Sequence, residues 1–154
     1  MPVFLEGAAR GLLVLHALVG FGLLGGSTHL AIASVQLLRG RPRAASMVRI
    51  QAQVVPALLA AAMALGLLMY PHYRVHVRGL FLDRSAPWAS NLFDIKEDFA
   101  ALAVPLAACA FVIGRSAGSG RPLLRLLVVC TVALWALVAF VAVSGLIITS
   151  VKGV

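Results

Sequence analysis

The stretch GLLVLHALVGFGLLGGSTHLAIASVQLL, residues 11–38, contains no charged residue, and it decides the class of protein. A helix needs about 20 apolar residues to cross the roughly 30 Å hydrocarbon core of a bilayer, so this run is long enough and leaves room for tilt. It is also much longer than the apolar segment of a cleavable signal peptide. Residues 11–38 therefore predict a first transmembrane helix.

Three further apolar runs follow, at about residues 50–70, 91–114 and 126–151. Backbone polar groups in lipid must be hydrogen-bonded within their own segment, which favours helices for such runs. The chain has 154 residues, of which 62% are hydrophobic and only 12% are charged, and its mean hydropathy is +1.01. This composition is far from that of a soluble domain. We predict an all-α fold, with a single four-helix transmembrane domain over residues 1–154.

The connection between spans two and three, residues 71–90, is the longest segment outside the predicted spans. Aromatic side chains typical of the headgroup boundary flank or occupy it, namely Tyr70, Tyr73, Phe81 and Trp88. We therefore expect an interfacial or re-entrant connection that lies along the membrane.

Loop arginines set the predicted orientation. The connections 39–49 and 115–125 contain arginines and no acid, whereas the connection between spans two and three contains both signs of charge. Because cytoplasmic loops are enriched in Lys and Arg, the two arginine-rich connections should be cytoplasmic, with both termini outside. The prediction is an integral protein of a bacterial inner membrane. The net charge of +8 is explained by these loops, so no nucleic-acid partner is expected.

Two histidines lie in span one. At 100° per residue, His16 and His29 point roughly 140° apart, which departs from the spacing of cytochromes b that hold two stacked haems on paired histidines. A two-haem site is therefore not expected. His29 lies near the inner end of the span, level with Gln51 and Gln53, and a hydrogen bond to one of these glutamines is predicted.

His16 lies about 8 Å inside the outer end of its span, which is close to the level of the connection between spans two and three. Its predicted neighbours are His72, His76, Glu97 and Asp98. Because His72 and His76 are four residues apart, they share a face of a helix and can bind one metal ion, or else both face solvent or headgroups. Imidazole is a common ligand of haem iron and of transition metals, so haem b or a transition metal is the predicted cofactor.

Acidic side chains begin span three. Asn91 resembles an N-cap, and acids in a first turn are stabilised by the helix dipole. Asp94, Glu97 and Asp98 follow i, i+3, i+4 spacing and share one face, from which Lys96 points away. If this face turns into the bundle, its carboxylates can bind a cation, exchange a proton or orient a histidine ligand, with Glu97 the first candidate.

Basic side chains in the same region are expected to pair with these acids. Arg74 and Arg78 are four residues apart, and their partners are the carboxylates of span three or lipid phosphates.

Small residues predict close packing between spans. The Gly22 to Gly26 spacing lets helices approach each other closely. Cys109 and Cys130 fall at similar depth in a tight hairpin of spans three and four. We expect them to behave as small apolar side chains without a disulfide bond.

No catalytic motif of the soluble enzyme classes is present, so an autonomous enzyme is not expected. The leading hypothesis is a small membrane subunit whose outer-side histidine and carboxylate site binds haem b or a metal ion for electron transfer. The alternative is a non-catalytic subunit that packs against partner membrane proteins, further copies of itself, and lipids. A third hypothesis is proton or cation movement through an oligomer, using Glu97 and His16.

Overall fold

The computed structural model describes residues 6–116 and 120–152, and it confirms an all-α four-helix bundle. The four long helices are α1 (Ala9–Leu38), α2 (Ala44–His72), α3 (Pro87–Arg115) and α4 (Arg121–Val151). A 3₁₀ turn, Glu6–Ala8, precedes α1. By length and composition all four can cross a membrane, so the chain is an integral membrane protein.

The connection between the second and third spans is helical. After α2 the chain continues as a π-helical segment, Tyr73–Leu82, and one more turn, Asp83–Ser85. The chain reverses at Ala86, whose φ of −150° and ψ of 63° are not helical.

A proline explains this reversal and also corrects the predicted start of span three. Proline disfavours the helical conformation in the residue before it, so Ala86 leaves the helix. Proline is well suited to the first turn of a helix, so α3 begins at Pro87 rather than near Asn91. Asn91 is thus an exposed residue inside α3 and not its N-cap.

The turn between α1 and α2 is a Schellman motif centred on Gly40. Gly40 has φ of +83°, its N–H donates to the Leu37 carbonyl at 3.0 Å, and the Arg41 N–H donates to the Gln36 carbonyl at 3.1 Å. Glycine adopts this left-handed conformation without strain. The motif therefore fixes the direction in which residues 41–43 leave α1.

The helices pack in a ring, in which α1 contacts α2 and α4, and α3 contacts the same two helices. Chain neighbours run antiparallel. We call the end with connections 39–43 and 116–120 the arginine end, and the opposite end, with residues 73–98, the acidic end. Close to the arginine end the core is mostly apolar, with Leu30, Val48 and Leu127 at 0% exposure.

Two glycines bring helices close together. Gly26 faces α2 as its spacing predicted, since a Cβ placed on it would lie 3.3 Å from Val55 Cγ2. A tighter glycine contact lies between α2 and α3. A Cβ on Gly114 would lie 2.5 Å from the Cβ of Ala52, closer than real side chains allow. Gly114 therefore permits the contact of α3 with α2.

The two cysteines meet between α3 and α4. Their Sγ atoms are 3.3 Å apart and both thiols are free, with Cys130 buried and Cys109 partly buried. The antiparallel hairpin thus places them at one level, as predicted from their positions in the two spans.

Candidate functional site

His16 is held by the backbone of α2. Its Nδ1 lies 3.0 Å from the carbonyl oxygen of Ala62. A carbonyl only accepts hydrogen bonds, so Nδ1 carries the hydrogen and Nε2 keeps the lone pair. A Cβ on Gly66 would lie 3.6 Å from His16 Cε1, so the missing side chain at Gly66 leaves room for the ring. His16 is thus fixed in orientation, with Nε2 as its basic nitrogen.

Lys96 points into the bundle, which corrects the predicted orientation of α3. Buried positions of α3 recur with steps of three and four residues, and Lys96, three residues after Phe93, falls on this stripe, whose buried members are Ala89, Phe93, Ala103, Ala107, Ala110 and Gly114. Lys96 is partly buried, and its Nζ lies 4.7 Å from the centre of the Phe93 ring. It also lies within electrostatic range of His16. The spacing of the alanines on this stripe was the sequence signal that would have placed Lys96 on the buried face of α3.

The acidic face of α3 does not turn into the bundle. Glu97 and Asp98 are exposed, and only Asp94 is partly buried. Asp94 binds Arg78 through both carboxylate oxygens, at 2.6 Å to Nη1 and 2.9 Å to Nη2. The predicted pairing of a basic side chain with these acids is therefore confirmed for Arg78, whereas Arg74 is exposed and forms no ion pair with a described acid.

Arg78 links the π-helical segment to α3 through a second carboxylate as well. Its Nε lies 3.6 Å from Asp83 Oδ1, and the Ser90 hydroxyl donates a hydrogen bond to the same oxygen. Ser90 is buried at the start of α3. Arg78, Asp83, Ser90 and Asp94 thus form a connected polar group that holds the helical reversal closed.

Replacing Arg78 with alanine is expected to lower the free energy of unfolding by about 1 kcal/mol, since a bidentate pair is strong but this one is partly open to solvent. Thermal unfolding in detergent measures the change. Arg74→Ala, which removes an equally charged side chain without an ion pair, should leave the midpoint nearly unchanged. Equal decreases of the unfolding midpoint in both variants would show that the loss of positive charge, and not the loss of the ion pair, lowers the stability.

Aromatic rings pack beside this polar group. Tyr73 stacks on Phe93 with ring centres 4.1 Å apart, and both side chains are buried. The Tyr73 hydroxyl and His72 Nδ1 are buried and have no hydrogen-bond partner among the described residues. Such groups cost about 1–3 kcal/mol each, and π-helical turns are frequent at functional sites. Tyr73, predicted only as a headgroup-boundary residue, therefore belongs to the interior of the acidic end.

The histidines near the acidic end form two separate sets. His72 and His76 lie together, with ring centres 4.7 Å apart and nearly perpendicular planes. His16 is level with Gly66, six residues and about 9 Å along the helix axis before His72. Within residues 6–116 and 120–152, no three side chains of the types His, Cys, Asp and Glu are placed to bind one metal ion. His16 is grouped with Lys96 instead.

His29 forms no hydrogen bond with Gln51 or Gln53, contrary to the prediction. It is exposed, Gln53 Nε2 donates to the Arg49 carbonyl at 3.1 Å, and Gln51 Nε2 lies 3.9 Å from Met47 Sδ. His29 therefore faces the surroundings of the bundle.

The sequence matches no protein-family model, and no curated protein and no solved structure is significantly similar to it. The polar side chains inside the bundle are therefore the basis for a functional assignment.

Proposed function

We propose that this chain is a small integral membrane protein that takes up and releases a proton at a site formed by Lys96 and His16, acting as a subunit of a membrane assembly. One observation carries the proposal. Lys96 lies on the buried stripe of α3, within electrostatic range of His16, and forms no ion pair with a carboxylate in the described chain.

The chemistry of the two side chains supports proton exchange. An ionised ammonium group inside a membrane bundle is costly, and ionisable side chains in such positions commonly mark ion or proton pathways. His16 holds its Nδ1 hydrogen on the Ala62 carbonyl, so Nε2 is the atom that accepts or releases a proton. Each of the two side chains can therefore bind and release a proton at the site.

The surroundings of the site favour proton access from the acidic end. Glu97 and Asp98 follow Lys96 directly in the chain and are exposed, so they can pass protons between water and the site. Towards the arginine end, the buried core consists mostly of apolar side chains such as Leu30, Val48 and Leu127. The buried hydroxyls of Ser34 and Thr131 in this region donate to backbone carbonyls of their own helices. The proposal is therefore exchange with the aqueous phase at the acidic end, predicted to be the outside, and any onward transfer uses neighbouring subunits.

A metal ion is a second candidate, favoured by the contact between His72 and His76. Two imidazoles at this separation can supply two ligands to a transition metal. Haem b or a metal ion at His16 is less well supported, because the Lys96 ammonium lies within electrostatic range and repels a cation. Elemental analysis and an absorption spectrum of the purified protein test this candidate: a stoichiometric metal that is lost in His72→Ala would support it.

Nitrogen-15 NMR of labelled histidine and lysine side chains tests the proton site. We expect the titration midpoint of His16 to move in Lys96→Met, because the removed charge acts on the imidazole. Lys152→Met is the matched control, since it removes the other lysine of the chain at an exposed position. In sealed liposomes, changing only the external pH should titrate His16 in those molecules whose acidic end faces outward.

The results separate the hypotheses. A His16 midpoint that is the same in wild type and Lys96→Met would contradict a shared proton site. A site that external pH never reaches would contradict exchange at the acidic end. Either result would leave the non-catalytic subunit that packs against partner proteins and lipids as the better account.

A further inference from the structure

An open groove lies at the arginine end, beside the turn that joins α1 to α2. Its volume is about 740 Å³, and its wall combines apolar, polar and cationic side chains. The groove is lined in part by His29, Ile32, Gln36, Arg41, Arg43 and Met47. Ile32 and Met47 are 51% and 44% exposed, so the apolar wall of the groove is open to the surroundings.

The cationic part of the groove is built on a rigid turn. The Schellman motif at Gly40 fixes Arg41, and the Arg41 and Pro42 carbonyls accept hydrogen bonds from the N–H groups of Ala44 and Ala45 at 3.1 and 3.0 Å. Both guanidinium groups are exposed, and residues 39–49 contain no acid. Two arginines thus border one groove, with no counter-charge from their own connection.

The length of α1 gives the depth of the groove in a bilayer. Helix α1 has 30 residues and is about 45 Å long, so it extends about 7 Å beyond a 30 Å hydrocarbon core at each end if it stands upright. His29 lies about 13 Å before the end of α1, and thus about 6 Å inside the hydrocarbon boundary. It has no hydrogen bond to another described residue, although it lines the groove at this depth.

We propose that this groove binds one anionic glycerophospholipid, with the phosphate on Arg41 and Arg43 and an acyl chain along Ile32 and Met47. Guanidinium groups bind phosphate oxygens in bidentate geometry, and basic pockets at the ends of transmembrane helices are suited to anionic headgroups. The charge and the apolar wall match the headgroup and the acyl chain of such a lipid in order of depth.

Native mass spectrometry of the full chain tests the proposal. The detergent-solubilised protein is mixed with equal amounts of phosphatidylglycerol and phosphatidylcholine of the same chain length. We expect bound phosphatidylglycerol to exceed phosphatidylcholine, and the double variant R41A/R43A to reduce that preference about tenfold or more. The matched control is R121A/R125A, which removes the same charge at the same end but no lining residue of the groove, and should keep the preference.

A third variant and a competitor make the result specific. His29→Phe should weaken phosphatidylglycerol binding less than R41A/R43A does, and an excess of inorganic phosphate should not displace the lipid. Equal losses in the two double variants would show only general attraction of anionic lipid to positive charge, and would overturn the site. Displacement by inorganic phosphate would overturn it as a lipid site, and so would equal binding of the two lipids. Unfolding midpoints of all variants show whether any loss reflects misfolding.

Discussion

Gly114→Ala is expected to destabilise the bundle by about 1–3 kcal/mol, the usual cost of overpacking. The added Cβ would lie 2.5 Å from Ala52 Cβ, and Ala52 is fully buried with no flexible side chain that can move aside. The two backbones must therefore separate, and with them the contact between α2 and α3. Thermal unfolding in detergent, followed by circular dichroism, measures the loss.

Gly25→Ala is the matched control for this experiment. Both glycines lie inside long helices, but a Cβ on Gly25 would have no atom within 4 Å. Alanine is the better helix former by about 1 kcal/mol, so Gly25→Ala should leave the stability unchanged or raise it. The two substitutions thus have opposite expected signs. Gly114→Ala with the stability of wild type would mean that the helices are further apart than the structure places them.

Phe93→Ala is expected to lower the free energy of unfolding by about 3 kcal/mol, near the lower limit for a buried phenylalanine. Lipid is as apolar as the bundle interior, so the loss comes from packing and ring contacts rather than from transfer to water. Phe93 is 8% exposed, stacks on Tyr73, and lies under the ammonium of Lys96. Phe93→Ala therefore removes a contact of Tyr73 and a contact of Lys96.

Two further variants separate packing from ring chemistry. Trp88→Ala removes a larger ring that is 55% exposed at the start of α3, and should cost little. Phe93→Leu keeps most of the apolar volume and loses the ring face, so its stability should fall between those of wild type and Phe93→Ala. Equal effects of Trp88→Ala and Phe93→Ala would contradict the buried position of Phe93.

The number and approximate limits of the spans could be predicted from sequence, because the thickness of a bilayer sets the length of an apolar helix. A signal for the reversal before α3 was also present, since Ala86 precedes Pro87 and proline disfavours the helical conformation in the residue before it. Proline alone does not mark a reversal, because Pro56, Pro71 and Pro105 lie inside helices. The prediction instead relied on Asn91, a good N-cap residue, and placed the start of α3 four residues too late.

The rotation of α3 could not be deduced from its acids alone. Asp94, Glu97 and Asp98 do share a face, but the face that enters a bundle is the one whose small side chains let α2 and α4 approach. That face carries Phe93, Ala103, Ala107 and Lys96, so the lysine lies inside and Glu97 outside. Predicting this rotation requires the packing partners of the helix.

The choice between Arg78 and Arg74 shows the same limit. Four-residue spacing places two side chains on one face of an α-helix. The spacing does not tell which of the two side chains reaches the acids. Arg78 lies four residues nearer the reversal at Ala86 and contacts Asp94 and Asp83, whereas Arg74 is exposed.

By itself, the sequence determined that this is a membrane protein of four helices with arginine-rich connections at one end. These features depend on hydrophobicity, length and loop charge, which are properties of each segment alone. Only the tertiary structure decided that Lys96 approaches His16, that Gly114 contacts Ala52, and that Arg41 and Arg43 border a groove. Those contacts depend on the rotation and separation of neighbouring helices, which the close packing of side chains from several segments sets together.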